Sequence, residues 1–266
     1  MQPGPLIGMA VALLAILGGN ILEGGHLGSI LGGPAALIVV GGTIGAVLVQ
    51  YPISTCLEAV KAAGRTFKKP SQDGHKLIDE IVDYANRARR DGILALEKVA
   101  STASDPFLAK AIMMAVDGAD STMLRETMEI TISKQEEHGE DAAKAFEAAG
   151  GYSPTVGIIG AVLGLIHVMS NLSDIAAVGS GIAGAFVATI YGVAVANVIF
   201  LPLGGRIKLC LRDEITLKEL TLVGVLAIQA GMNPKLVRER LAEFVHTPGG
   251  HSKKSSPAGE AAGAAA

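Results

Sequence analysis

The most notable residues of this chain that could carry chemistry in an apolar setting are one histidine and three hydroxyls. His167, Tyr191, Thr155 and Thr189 lie in long runs that contain no Asp, Glu, Lys or Arg. An imidazole can take up and release a proton near neutral pH, and a hydroxyl can hydrogen-bond an ion or a neighbouring group. A lone imidazole can equally bond a nearby carbonyl. The chain shows no combination of nucleophile and base, so we do not predict an enzyme.

A carboxylate is missing from these apolar runs. A pathway for ions through a membrane normally contains ionisable groups, because the free energy of placing them there must be offset by a role. The chain alone is therefore a poor ion pathway. Either it is a membrane scaffold or a partner helix supplies the carboxylate, and composition leaves both alternatives open. The two cysteines, Cys56 and Cys210, suggest no disulfide framework, and we predict no metal and no cofactor.

The elements that position these residues are four charge-free runs. A helix of about 20 apolar residues crosses the roughly 30 Å of bilayer hydrocarbon, and each run is long enough or nearly so. The sequence therefore predicts an all-α membrane protein with four transmembrane helices in two hairpins and a helical cytoplasmic domain. The runs are Leu6–Leu22, Gly28–Gln50, Gly150–Ser173 and Ile175–Gly205.

The basic residues predict the orientation of the chain. All 22 Lys and Arg fall within Lys61–Lys144 or Arg206–Lys254. Because basic residues flanking membrane helices stay on the cytoplasmic side, the middle segment and both termini are predicted to be cytoplasmic. We expect a multi-pass membrane protein, surrounded by lipid. This topology accounts for the basic residues without nucleic acid.

Changes in composition divide the chain into five segments. The two membrane hairpins alternate with charged, helical segments, and the last residues are rich in Gly, Ser, Ala and Pro, which is typical of disorder. We predict a first hairpin at 1–50, a cytoplasmic helical domain at 51–149, a second hairpin at 150–205, cytoplasmic helices at 206–246 and a disordered tail at 247–266.

Apolar periodicity predicts the main cytoplasmic helices. A helix opening at Ser71-Gln72-Asp73 repeats apolar residues with a period of 3.6, and Asp91-Gly92 ends it. From about Asp120 a further helical pattern runs towards the third span and can be continuous with it. A final amphipathic helix is predicted at about Arg206–Gln229.

Two prolines mark predicted boundaries of the second hairpin. Pro154 is predicted to begin its first helix, because proline is favoured in the first helical turn. Pro202 is predicted near the cytoplasmic end of its second helix.

Several short motifs occur in an order that carries a family resemblance. They are Arg89-Arg90-Asp91-Gly92-Ile93-Leu94-Ala95-Leu96-Glu97, Ser153-Pro154-Thr155-Val156-Gly157-Ile158-Ile159-Gly160, Ala188-Thr189 with Tyr191-Gly192, Phe200-Leu201-Pro202-Leu203, and Gly41-Gly42-Thr43. Each motif is weak alone, whereas their joint order and spacing are specific. The chain resembles the A subunit of the bacterial flagellar motor stator, the MotA/PomA family within the MotA/TolQ/ExbB superfamily.

The resemblance implies a stator subunit that couples inward proton flow to torque. In that family, five A subunits surround two copies of a single-span MotB-type subunit, which carries the ion-binding Asp and is anchored to peptidoglycan. By this resemblance Pro154, Thr189 and Pro202 line or shape the ion path beside that Asp. We assign Thr155 and Ala161 to the same path.

The resemblance also implies a contact with the rotor. Arg89 and Glu97 match charges that the family presents to a FliG-type rotor protein, and Arg90 is an adjacent alternative to Arg89. Complementary charges favour fast and specific association.

One departure from the family pattern bears on the coupling ion. Sodium-driven members carry a Thr seven residues after the proline that opens the third span, and that position here is Ala161. A missing hydroxyl weakens a sodium site, whereas a proton needs only the partner's carboxylate. We therefore predict coupling to protons.

Two alternatives remain. One is an ExbB/TolQ-like energiser, which the hairpin preceding the cytoplasmic domain disfavours. The other is a membrane scaffold that conducts no ions.

Overall fold

The computed structural model describes residues 3–68, 73–170 and 175–245, with the backbone alone at 175–177. The predicted disordered tail at 247–266 lies outside these residues, as does the predicted helix opening at Ser71-Gln72. In the part of the chain that is described, every regular element is a helix.

The helices fall into an N-terminal group, a middle group and a C-terminal group. The first group is α1 (Pro3–Leu22), α2 (Leu27–Ile30), α3 (Gly33–Ala36), α4 (Gly42–Gln50) and α5 (Ile53–Thr66), with a π-helical turn at Leu37–Gly41 joining α3 to α4. The middle group is α6 (Gly74–Asp91), a 3₁₀ turn at Ile93–Leu96, α7 (Glu97–Ala100), α8 (Pro106–Val116) and α9 (Ser121–Met169). The last group is α10 (Ile175–Val195), a π-helical turn at Ala196–Phe200, α11 (Leu201–Gln229) and α12 (Pro234–Ala242).

Four of the described helices are long and apolar enough to cross a membrane. They are Pro3–Leu22, Gly33–Gln50, Ser121–Met169 and Val178–Gln229, each with an apolar window of membrane length. The predicted fold class is confirmed: the helices form two hairpins that flank and continue into a helical, charge-rich domain.

The long helix α9 joins the charged domain to the membrane without a break. Its 49 residues correspond to roughly 74 Å at about 1.5 Å per residue. Asp120 caps its start, because the carboxylate accepts hydrogen bonds from the backbone N–H groups of Thr122 and Met123 at 2.8 and 2.9 Å. The continuity that the pattern after Asp120 indicated is therefore confirmed.

The prediction that Pro154 begins a helix was wrong, since Pro154 lies inside α9. A proline in a helix interior removes one N–H and crowds the carbonyl four residues earlier. Such residues are tolerated in membrane helices when neighbouring groups satisfy the backbone. Here that carbonyl belongs to Gly150, and the helix continues through Pro154 without a break.

The boundary predicted at Arg206 also differs from the structure. Helix α11 begins at Leu201 and follows α10 through the π-helical turn, in which the N–H of Leu201 donates to the carbonyl of Ala196. Pro202 lies in the first turn of α11. Because Pro202 has no N–H to offer the carbonyl of Val198, the wider π-helical turn suits this position.

One hydrophobic core unites the middle group with the C-terminal group. The predicted apolar stripe of α6 is buried at Leu77, Ile78, Ile81, Tyr84 and Ala85. It packs with buried residues of α8, α9, α11 and α12, including Leu108, Ile112, Leu124, Met128, Leu220, Val225, Val237 and Leu241. The charged helices on either side of the second hairpin therefore form a single packed body.

Candidate functional site at the seam of two membrane helices

Helices α9 and α10 pack along a seam of small residues. A Cβ atom added to Gly157 would lie 2.9 Å from the carbonyl oxygen of Ala188, and one added to Gly192 would lie 2.6 Å from that of Ser153. Gly164 faces Ala185 in the same way, at 3.0 Å. Real Cβ atoms essentially never approach a neighbour within 3.0 Å, so a side chain at Gly157 or Gly192 would force the packing to shift. The absence of side chains there lets the two backbones approach closely.

The seam brings Pro154 and Thr189 together. The Cβ position of Gly192 is 3.2 Å from the Cα of Pro154, and that of Gly157 is 3.4 Å from the Cα of Thr189. Both residues are partly buried. Two residues predicted for the ion path thus lie on adjacent turns of neighbouring helices.

Ser153 is a buried polar residue of the seam that the sequence reasoning did not single out as a site residue. Its side chain is fully buried, and its Oγ donates a hydrogen bond to the carbonyl of Gly192 at 3.0 Å. This bond joins α9 to α10 beside Pro154. The available signal was a hydroxyl directly before a proline in a charge-free run.

Thr155 and Ala161 lie on α9 with different surroundings. Thr155 is exposed, and its Oγ1 donates to the carbonyl of Tyr152 at 2.8 Å within the same helix. The lone pairs of Thr155 Oγ1 therefore point away from the carbonyl of Tyr152. Ala161 is partly buried and contributes only a methyl group.

Pro202 is not brought to the Pro154–Thr189 pair. It follows Thr189 by 13 residues along nearly continuous helix, a separation of about 20 Å. Pro202 is exposed at the start of α11. Its neighbour Leu201 covers Gly150 of α9, where a Cβ would lie 2.5 Å from the Leu201 side chain.

Tyr191, one of the hydroxyls noted in the charge-free runs, joins the two hairpins. Its hydroxyl donates to the carbonyl of Ile30 at 2.7 Å and accepts from the N–H of Gly32 at 3.1 Å. On α9, Tyr152 similarly donates to Oε1 of Gln50 at 2.8 Å. Backbone and side-chain polar groups of the first hairpin are thereby satisfied by the second.

The face of α10 that carries Thr189 is open. Ile182, Phe186 and Val193 on this helix are large apolar side chains that remain exposed. Asn197 continues the same face into the π-helical turn, where its Nδ2 donates to the carbonyl of Val193 at 2.9 Å. An exposed apolar face beside partly buried polar groups is suited to packing against another membrane helix.

The residues predicted for the rotor contact lie at the far end of the charged domain. Arg89 and Arg90 are exposed in the last turn of α6, and Glu97 is exposed at the start of α7. Gly92 separates them with a φ of 82°, a conformation that favours glycine. The helix end that was predicted at Asp91-Gly92 is confirmed.

These charges are largely unpaired in the described part of the chain. Arg90 is 3.9 Å from Asp91, a highly exposed ion pair, whereas Arg89 and Glu97 form no ion pair with any described residue. The end of the domain therefore presents both signs of charge to its surroundings.

Comparison with known proteins agrees with this architecture. Residues 99–219 match the MotA/TolQ/ExbB proton channel family, and residues 6–92 match the family described as Motility protein A N-terminal. The chain is 32% identical to Motility protein A of Bacillus subtilis (strain 168), over 98% of this chain and 96% of that protein. It is 34% identical to Chemotaxis protein PomA of Vibrio alginolyticus, over 88% and 94% respectively.

Solved structures show the same fold. The chain superimposes with a TM-score of 0.89 on a chain of C. jejuni MotAB, at 31% identity and covering 92% of this chain and 96% of that one. The flagellar MotAB stator complex from Bacillus subtilis gives a TM-score of 0.85 at 32% identity, covering 91% and 96%. This chain belongs to the Motility protein A family of the MotA/TolQ/ExbB proton channels.

Proposed function

We propose that this chain is the ion-conducting A subunit of a flagellar stator, which couples inward proton flow to torque on the rotor. The observation that carries the proposal is the seam between α9 and α10. It holds Pro154 beside Thr189 and leaves the apolar face of α10 open, while the charge-free runs supply no carboxylate. This open face, which has no carboxylate of its own, suits a partner helix that supplies one.

The partner in this proposal is a single-span MotB-type subunit, present as two copies within a ring of five A subunits. The MotAB complexes that the chain resembles support such a partner. Helix α1 supports the ring, because it has no buried residue within one chain. Neighbouring subunits and lipid would cover its apolar surface.

The proposed orientation places both termini and the charged domain in the cytoplasm of a bacterium, with the four spans in its inner membrane. The distribution of basic residues supports it. Protons then enter between the partner helix and the seam. Each charge that crosses the membrane releases about 2.3 kcal/mol per 100 mV of potential, and protonation of the partner's carboxylate would advance the ring by one step.

In this proposal torque passes to a FliG-type rotor protein through Arg89, Arg90 and Glu97. Their exposure at one end of the domain supports the assignment. Helix α9 joins that domain to the seam as one continuous element, so a displacement in the membrane would move the charged end as well.

The test of proton coupling uses cells whose motility depends on this chain and its partner. We expect swimming to persist when external sodium is replaced by potassium and to stop when a protonophore is added.

Thr189→Ala should slow swimming, while Thr216→Ala in α11, outside the membrane run, should not. Strict dependence on sodium would contradict proton coupling. Normal swimming of Thr189→Ala, with no proton flux through the purified complex, would favour a scaffold.

An ExbB/TolQ-like energiser is the second candidate, because residues 99–219 match the family that includes those proteins. The match of residues 6–92 to the motility-specific N-terminal family favours the stator.

A further inference from the structure

Glu80 of α6 accepts hydrogen bonds from three donors. The Tyr84 hydroxyl donates to its Oε1 at 2.6 Å, and the backbone N–H of Ser104 donates to the same oxygen at 3.0 Å. The Ser104 hydroxyl donates to Oε2 in a short bond. One partly buried carboxylate thus links α6 to the turn that follows α7.

The Glu80 carboxylate is held in its charged form. Burial by itself would raise the pKa of Glu80, but the hydrogen bonds from Ser104 and Tyr84 outweigh it and lower the pKa below its usual value. Burial, followed by the bond to Glu80, raises the pKa of Tyr84. Hydrogen bonds to an ionised acceptor are about twice as strong as bonds between neutral groups.

The link closes a loop that contains the proposed rotor contact. The chain leaves α6 at Gly92 and returns to α6 at Glu80, which lies 11 residues before Asp91, or about 16 Å along the helix. Between these points the chain forms the 3₁₀ turn and α7, with Glu97 on the outside. Leu96 and Ala100 are buried on the inside.

Apolar packing and the Glu80 bonds constrain this segment in different ways. Buried Leu96 and Ala100 hold it against the core, but dispersion contacts have little directional preference. The hydroxyls of Ser101 and Thr102 bond carbonyls within the segment itself, at 2.9 Å each, and so do not attach it to α6. The hydrogen bonds to Glu80 are directional and set the position of the segment along α6.

We infer that Glu80 is a positioning residue for the rotor contact, a role that rests on the proposed function. Through Ser104 it holds Glu97 at a set distance from Arg89, which lies in the last turn of α6. Recognition by several charges requires that their spacing match the partner's, and such constellations need support from surrounding hydrogen bonds. If the segment were less constrained, the distance between Arg89 and Glu97 would vary, although neither charge would change.

The experiment compares three variants of the full chain, purified with its partner subunit and also expressed in motile cells. Glu80→Ala removes the link. Glu80→Gln keeps one acceptor oxygen for Tyr84 and the Ser104 N–H. The matched control is Asp83→Ala on the same helix, because Asp83 forms only an exposed pair with Arg87 at 2.9 Å.

Two readouts separate positioning from general stability. Hydrogen exchange is measured for peptides covering 93–104 and, as a reference, 234–242, and stall torque per stator is measured in cells. For Glu80→Ala we expect exchange at 93–104 to rise roughly tenfold or more, from the loss of charged hydrogen bonds, with 234–242 unchanged and torque reduced. Glu80→Gln should fall between this variant and wild type, and Asp83→Ala should match wild type.

The results that overturn the inference are distinct. Unchanged hydrogen exchange at 93–104 in Glu80→Ala would show that the Glu80 hydrogen bonds do not constrain this segment. Equal increases at 93–104 and 234–242 would show that Glu80 stabilises the domain in general. Loosened exchange with normal torque would also overturn the positioning role. In that last case Glu97→Lys identifies the cause. Normal torque in Glu97→Lys would contradict the proposed rotor contact itself. Reduced torque in Glu97→Lys would support the rotor contact and contradict only the positioning role of Glu80.

Discussion

Thr189 and Pro154 acquire a common setting only when their helices pack. Each residue has a plain structural role available, since a threonine can bond its own helix and a proline can bend one. The glycines opposite them, Gly157 and Gly192, bring the two backbones within contact distance. At the scale of residues, the proposed ion path is therefore defined as much by absent side chains as by the polar groups themselves.

A prediction at the same scale concerns the rotor contact. Arg89→Glu and Glu97→Lys should each shrink the swarms of cells that depend on this chain, because reversal of an exposed charge replaces attraction to the rotor with repulsion. Neither residue has an ion-pair partner among the described residues, so stability of the folded chain should not change. Swarm diameter on soft agar and the amount of protein in the membrane are the measurements.

Arg125→Glu is the control for this prediction. Arg125 lies on α9 with an exposed ion pair to Glu129 at 3.6 Å, and a surface pair of this kind contributes less than about 1 kcal/mol. Its reversal should leave swarming unchanged. Swarms of normal diameter in both Arg89→Glu and Glu97→Lys would eliminate these residues as the rotor contact.

Helices α9 and α11 are the elements that connect the membrane to the charged domain. Both continue past the membrane boundary, and Lys208 of α11 pairs with Glu147 of α9 at 2.7 Å just beyond it. Gly204 lies against Ala143, where a Cβ would be 3.2 Å from the carbonyl oxygen. The seam of small residues thus extends from α10 into α11.

The prediction for this element is that Gly192→Ala destabilises the seam. The added methyl would meet the carbonyl oxygen of Ser153 at 2.6 Å, and overpacking of this kind costs about 1–3 kcal/mol. We expect a lower apparent melting temperature of the purified complex and slower swimming. Gly184→Ala on the same helix is the control, because a Cβ there meets nothing within 4 Å in this chain. Equal losses in both variants would show that the close approach at Gly192 is not the cause.

In the part of the chain that the structure describes, the charged helices share a hydrophobic core built from segments that the second hairpin separates. Leu220 of α11 is fully buried in the cluster that also contains Ile81 of α6 and Leu124 of α9. Gly224 makes room for Ile81, whose Cγ2 would lie 2.8 Å from an added Cβ. The second hairpin is therefore connected to the same packed body at both of its ends.

At this scale we predict that Leu220→Ala destabilises the packed charged domain as a whole. A Leu-to-Ala change in a packed core reduces the free energy of unfolding by about 2–5 kcal/mol. Thermal unfolding followed by circular dichroism should show the loss, and proteolysis should reach sites in both α6 and α11. Leu236→Ala is the control, since Leu236 is 54% exposed on α12. Proteolysis confined to α11 would contradict a shared core.

Much of the fold was predictable because its signals are local. Charge-free runs of membrane length identify spans, the 3.6-residue stripe of α6 identifies its buried face, and Asp91-Gly92 ends that helix. The positions of Pro154 within α9 and of Pro202 within α11 were less predictable. Proline has a strong preference for first turns, whereas α9 continues through Pro154.

The sequence by itself determined the class of protein and the four runs that are long and apolar enough to cross a membrane, because hydropathy and charge follow from side chains alone. Tertiary structure decided which side chains meet. The contacts of Pro154 with Gly192, of Tyr191 with Ile30 and of Glu80 with Ser104 join segments whose separation along the chain carries no signal of proximity. Those contacts depend on how helices pack in three dimensions, where close approach and hydrogen-bond direction jointly select one arrangement.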